Sequence, residues 1–257
     1  MRFEILTLFP ELFDALGVGL LGKAQARGEI AVQLSNPRDF TEDRHRTVDD
    51  APYGGGSGMV LMAAPYLDAL DALDNERAGV PTRRVLLTPQ GAPFTQAHAE
   101  RLAAEPCVTL ICGRYEGFDE RIREAVDEEL SLGDFVLLGG EVAALAVVEA
   151  VARLLPGVVG NRGSLVEESH TTGLLEYPQY TRPPELRGRT VPTVLLSGNH
   201  EAIRRWRRQQ ALLRTRARRP DLFAAIELSA EDRALLAEAD ATEAAGERPS
   251  GSGPRDA

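Results

Sequence analysis

Apolar residues in this chain follow two spacings. Residues 3–8, the alternating Ile30, Val32 and Leu34, and the runs 85–88, 108–112 and 135–138 are short, partly β-branched and closed by turn residues, so they read as strands. Wider stripes lie between them. Pro10 opens a helix carrying Leu12, Phe13 and Leu16, and residues 65–76 place Leu67, Leu70 and Leu73 on one face. Residues 94–104 form a third helix with Thr95 as N-cap, and 119–127 a charged one with Ile122, Ala125 and Val126 on one side. Residues 142–155 are apolar almost all round, which predicts a helix buried in the domain or at a subunit interface. Strands alternating with helices give an α/β domain, residues 1–158, with a largely parallel sheet. Residues 159–173 lack periodicity and read as a flexible linker. Beyond them, 174–241 is a small helical domain. Asn199 caps a helix over 200–214 with Ile203, Trp206 and Leu213 inward, and Ser229 caps a last one ending near Ala239. Residues 242–257 are Gly, Ser, Pro and charge, a tail expected to be disordered.

Three strands run into glycine: 85–88 into Pro89-Gln90-Gly91, 108–112 into Gly113, and 135–138 into Gly139-Gly140. In an open α/β sheet, ligands sit in the crevice at the carboxyl ends of the strands. Glycine there lets backbone approach a ligand and offer its amides. Three such turns in succession predict a cofactor pocket. Glu116, in the turn after the central strand, can meet a ligand ammonium or be a plain surface acid. Residues 54–58 form a glycine-rich loop with neither the Gly-Lys-Ser/Thr of a phosphate loop nor the G-x-G-x-x-G of a dinucleotide fold. Arg44, His45, Arg46, Asp49 and Asp50 crowd just before it.

Composition changes the picture at one point. A net charge of −10 over 257 residues argues against a nucleic-acid partner, but residues 182–219 hold eleven Arg and two Glu, a local excess of +9. Binding to phosphate depends on such a local patch. Arg204, Arg205, Arg207 and Arg208 read as an outward face suited to phosphate, because a planar guanidinium donates two bonds at once. Trp206 is a core residue or a base-stacking one. Cys107 and Cys112 match no metal or disulfide spacing and read as small apolar residues of one strand. No signal peptide or bilayer-length apolar run is visible, so a soluble cytoplasmic protein without a membrane partner is expected.

Taken together, Tyr53-Gly54-Gly55-Gly56 with Gly58-Met59, Pro89-Gln90-Gly91, residues 112–117 (CGRYEG), Gly133-Asp134 with Gly139-Gly140-Glu141, Tyr180-Thr181-Arg182-Pro183, residues 195–200 (LLSGNH) and 218–222 (RRPDL) resemble the bacterial tRNA (guanine-N1)-methyltransferase family. The resemblance runs in order from Phe3 to about Phe223 and no single motif carries it. It implies a SPOUT-type parallel sheet with a deep carboxyl-terminal trefoil knot, plus a small α-helical carboxyl-terminal domain. It implies S-adenosylmethionine-dependent methylation of N1 of guanosine-37, 3′ of the tRNA anticodon, by an antiparallel homodimer with shared sites. The donor would lie on Pro89, Gly91, Gly113, Glu116, Leu132, Gly133, Asp134, Phe135, Val136, Leu137 and Gly140. Arg153 and Glu168 would be catalytic, and the tRNA would meet Asp49, Tyr53, Arg114, Arg182, Asn199 and the four helix arginines. Relatives commonly carry Asp as the base, and Glu167 stands beside Glu168, so both acids stay open. A divalent ion, Mg²⁺, is implied too, although no closed ligand set is legible. Other readings are a knotted RNA methyltransferase of another nucleotide and an RNA-binding module with no chemistry. A dehydrogenase lacks its fingerprint.

Overall fold

The computed structural model describes residues 1–160, 168–170 and 173–246. The chain divides into two compact units at Gly160. In chain order the first contains β1 (Arg2–Leu6), a 3₁₀ segment (Pro10–Gly17), α1 (Gly19–Ala26), β2 (Ala31–Ser35), β3 (Asp49–Asp50), β4 (Val60–Leu61), α2 (Ala63–Arg77) and β5 (Arg83–Pro93). These are followed by α3 (Gln96–Ala103), β6 (Cys107–Cys112), α4 (Glu120–Arg123), β7 (Glu128–Ser131) and α5 (Glu141–Ala152). Five strands make one parallel sheet in the order β2-β1-β6-β5-β7.

Side chains alternate across each strand, so the sheet is covered on both faces. Phe3, Ile5, Val85, Leu87, Val108, Leu110 and Cys112 share one core with α1, α3 and α5. Leu6, Leu86 and Ile111 share the other with Tyr66 and Leu70 of α2 and Ile122 of α4. Glu4 falls on this second face and is fully buried, accepting from Thr109 Oγ1 at 2.8 Å and from Arg77. A buried carboxylate is tolerated only with such partners. Both cysteines are free and buried, and burial pushes the Cys112 thiol far up, so it stays neutral.

Several elements differ from the sequence reading. Residues 119–127 hold only the single turn α4, and the last sheet strand is the charged Glu128–Ser131 rather than the apolar 135–138. β7 lies at a sheet edge, where Glu128 accepts two hydrogen bonds from Arg101 at 2.6 and 2.8 Å and one from Arg83 at 3.2 Å. Those pairs hide the strand's period from a hydropathy reading. Residues 135–138 instead belong to the segment leading into α5, with Val136 and Leu138 82% and 93% exposed. The stretch after Pro10 winds as a 3₁₀ turn, and α1 follows it unforeseen.

In the second unit, β8 (Glu185–Leu186) and β9 (Arg189–Thr190) form a hairpin, followed by α6 (Thr193–Leu196), α7 (His200–Arg218), α8 (Pro220–Ala224) and α9 (Ala230–Ala244). Leu174, Ala211, Leu212, Leu235 and Leu236 form its core. Ile203, Trp206 and Leu213 are half-buried at its border, and α9 runs past Ala239 into the expected tail. Residues 247–257 of that tail, and Glu167 in the expected linker, lie outside the described residues.

The helix arginines are not an open cationic face. Arg204 pairs with Glu201 at 2.7 Å and Glu231 at 3.0 Å, and Arg205 with Glu238 at 3.0 Å. Arg208 grips Asp232 through two bonds, at 2.7 and 2.9 Å. Arg207 lies over the Tyr177 ring, 4.8 Å from its centroid. Arg205, Arg207 and Arg208 are half-buried, and α9 supplies the acids that hold Arg205 and Arg208. The two bonds from Arg208 hold the Asp232 carboxyl down at about 2. A carboxyl lowered on folding stabilises the protein above its unfolded value, and that stabilisation fades as the pH falls towards the folded one. Asp232→Asn should therefore cost about 2 kcal/mol at neutral pH. In urea melts, the gap from the parent protein should close between about pH 4 and pH 2. A gap that persists at the acid end would leave the pair without this role.

Candidate active site

The pocket forms where β5, β6 and β7 end. Leu87 and Ala92 of β5 both stand opposite Leu130 of β7, so residues 88–91 leave the ladder as a loop. β6 continues into Gly113, Arg114 and Tyr115. Tyr115 holds φ at +59°, a conformation that costs a non-glycine residue about 1 kcal/mol or more. Residues 132–140 close the third side, where Gly140 N donates to Gly113 O at 2.9 Å. A cavity of about 380 Å³ lies between the three loops. That is enough for a nucleoside-sized ligand.

Of the expected donor residues, Pro89, Gly113, Glu116, Leu132, Phe135, Val136, Leu137 and Gly140 line this cavity. Gly91, Gly133 and Asp134 do not. Gly91 faces β7, where a Cβ would come within 2.5 Å of Leu130 N, so its bareness serves strand packing. At Gly140 a Cβ would lie 2.9 Å from both Cys112 Cα and Gly113 N, both backbone atoms. No side chain fits there. The sequence reading passed over Thr88, Gln90, Glu120, Arg123 and Ser131, which also line the cavity. Arg123 donates to Gln90 at 3.0 Å and pairs with Glu129 and Glu120. Its signal was lost because α4 is only one turn long.

Arg114 also lines the pocket, and a network fixes it. Glu141, 1% exposed at the start of α5, accepts from Arg114 Nε at 3.3 Å and from Thr7 Oγ1 at 3.0 Å. The guanidinium lies over the Phe9 ring at 4.3 Å. The glycine-rich loop proves to be packed against the site. Glu116 N donates to Met59 O at 3.0 Å, and a Cβ on Gly58 would lie 2.4 Å from the Glu116 carboxylate. Asp49 is tied into the short β3–β4 ladder behind this loop, while Tyr53 projects fully exposed.

The other expected residues belong to the end of α5 or to the second unit. Arg153 caps the far end of α5, thirteen residues after Gly140, or about 20 Å along the helix. Glu168 is half-buried in the second unit. Arg182 is exposed there. Asn199 spends its side-chain oxygen on capping α7, accepting from Ala202 N at 3.1 Å. Among the described residues, no group of three or more His, Cys, Asp or Glu could hold a metal ion. Among those residues, too, no helix is long and apolar enough to cross a membrane.

A parallel α/β sheet whose strand ends and glycine loops enclose a nucleoside-sized cavity defines the chain as an α/β protein with a cofactor-type pocket. Comparison with known proteins names the kind. Residues 1–225 match the family model described as tRNA (Guanine-1)-methyltransferase TrmD. A tRNA (guanine-N(1)-)-methyltransferase of Sorangium cellulosum (strain So ce56) is 56% identical over 246 residues, spanning 87% of this chain and 93% of the relative. Its counterpart in Synechococcus sp. (strain JA-3-3Ab) is 56% identical over 240 residues, 93% and 94% of the two chains. That of Pelotomaculum thermopropionicum is 53% identical over the same length. The chain belongs to the tRNA (guanine-N1)-methyltransferase family.

Proposed function

We propose that the chain methylates N1 of guanosine-37 in tRNA, with S-adenosylmethionine as donor, Glu168 as general base and Arg153 as the group that holds developing charge on O6. That it is a tRNA (guanine-N1)-methyltransferase follows from its family. The observation that carries the finer reading is the cavity at the ends of β5, β6 and β7, which suits this donor part by part. Leu87, Leu130, Leu132 and Leu137 offer apolar walls to an adenine, and backbone of the glycine loops offers it hydrogen bonds. Glu116, which no ion pair engages among the described residues, suits the donor's ammonium. When bound, the donor supplies an already activated methyl group. What remains for the protein is alignment of that methyl with N1 and removal of the N1 proton. Guanine N1 becomes nucleophilic only on losing its proton, and the charge then spreads to O6, where an arginine stabilises it.

The homodimer is part of the same proposal. Arg153 cannot reach the cavity of its own chain, because α5 separates them by about 20 Å. A second copy running antiparallel would bring its Arg153 to this pocket. Phe9, Leu12, Val18, Val136, Leu138 and Val142 are exposed, and a dimer contact would cover such surface. The trefoil knot, the domain limits at residues 158 and 174, and a cytoplasmic place of action go with this reading.

The direct test is methyl transfer to tRNA transcripts that carry or lack guanine 3′ of the anticodon. Product with the modified base at another position would replace this reading by the related knotted methyltransferase. The glycine-rich loop offers a finer check. Gly58 holds φ at +84° with the Glu116 carboxylate above it. Gly58→Ala should push that side chain aside and weaken donor binding about tenfold, the effect of a single displaced charged contact of 1–2 kcal/mol. Calorimetric titration with the donor reads this out, and unchanged affinity would detach Glu116 from the donor.

A further inference from the structure

The arginine count of residues 182–219 does not say where the second unit presents positive charge, but the ion pairs do. Arg218, exposed in the last turn of α7, holds no carboxylate among the described residues, but Arg204, Arg205, Arg208, Arg216 and Arg219, on α7 and just after it, each hold one. A phosphate arriving there must first displace an acid already in contact. The β8–β9 hairpin is different. Arg187 and Arg189 are exposed, and among the described residues no carboxylate lies within ion-pair distance of either. Arg182, just upstream, is in the same state. Glu185 is the one acid of residues 182–190, and it stands at the hairpin's base opposite Thr190.

The backbone adds an independent observation. Leu186 pairs with Arg189, so Arg187 and Gly188 are the two-residue turn, with φ of +52° and +74°. Such a turn favours Asn, Asp or Gly at its first central position, because a longer side chain is strained there. Arg187 is strained at the tip of an exposed hairpin, and among the described residues its side chain makes no hydrogen bond or ion pair that explains the choice. Backbone strain of this kind marks a position kept for something other than stability.

We propose that the tip of the β8–β9 hairpin, through Arg187 and Arg189, is the principal phosphate-contacting element of the second unit, and that α7 contributes scaffold more than charge. This rests on the tRNA substrate assigned above. The partner is the RNA backbone, since two unpaired guanidiniums on a turn suit separate phosphate oxygens and carry no base specificity.

The test uses the full-length protein and a tRNA transcript, with affinity measured from 50 to 200 mM salt. Arg187→Gln/Arg189→Gln should reduce the slope of log affinity against log salt by about 2. The parent's affinity should then fall about ten- to twenty-fold more over that range than the variant's. Arg205→Gln should leave the slope nearly unaltered. Arg187→Asn should weaken tRNA binding while the melting temperature holds or rises, since Asn accepts the left-handed turn. A hairpin variant with the parent's slope, or an Arg205 variant with the larger loss, would overturn the assignment. So would Arg187→Asn that melts earlier and binds tRNA as before, which is what a purely structural arginine gives. Failure of the tRNA reading itself is distinct: the unaltered protein would then methylate no transcript at all.

Discussion

Glu168→Gln is expected to lower the rate of methyl transfer by roughly 10² to 10⁴, the usual contribution of a general base. The substitution keeps the shape of the side chain and removes only its basicity, so donor affinity should stay nearly constant. Single-turnover methylation separates this chemical step from tRNA binding and product release. Glu168 is half-buried, and its neighbour Ser169 accepts a hydrogen bond from Glu176 N at 3.0 Å, which ties this stretch to the second unit. Glu167→Gln should be mild. If the two variants exchange effects, the acid next to Ser169 is not the base, and the alignment with relatives is displaced by one. If neither slows the reaction, the base must be sought among other carboxylates. Asp49, tied by β3–β4 behind the glycine-rich loop, is then the first to test.

Two inactive variants should restore each other when they share a dimer. Gly140→Val would press its side chain into Cys112 and Gly113 backbone, which has nowhere to move, and so should abolish donor binding. Arg153→Ala leaves the pocket at the other end of α5 intact and should bind donor normally, while methyl transfer falls by about 10² or more for want of charge stabilisation. In a mixed dimer with shared sites, one pocket is intact and faces an intact Arg153 from the other copy. The second pocket lacks both. Co-expression in equal amounts makes half of the dimers mixed, each with one working site of two, so about a quarter of full activity should return. Purified single variants should show about a hundredth of full activity or less. No recovery, with mixed dimers demonstrated by mass, would mean that Arg153 serves its own chain or does not act in catalysis. The shared site would then be lost, although the family assignment would stand.

The sequence by itself determined the α/β class, the buried strand of residues 108–112, two of the loops that wall the pocket and the caps of α7 and α9. Each of these is a local matter. Apolar runs ending in glycine need no partner to be recognised, and Asn199 and Ser229 cap with their own side chains. The family resemblance points to the third wall, of which Leu132, Phe135, Val136, Leu137 and Gly140 line the cavity, whereas the apolar run 135–138 by itself predicts a strand. What only the tertiary structure decided depends on residues distant in sequence. β7 became a strand because Arg83 and Arg101, from two other elements, pair with its acids. Gly91 packs against β7, which only the sheet order could show, and Gly58 comes to Glu116 because β4 brings its loop there. The charge on α7 was legible as a count but not as a field. Apart from Glu201, the counter-ions of Arg204, Arg205, Arg208 and Arg216 come from α9, more than twenty residues further on, and pairing across space decides which arginines are left facing water.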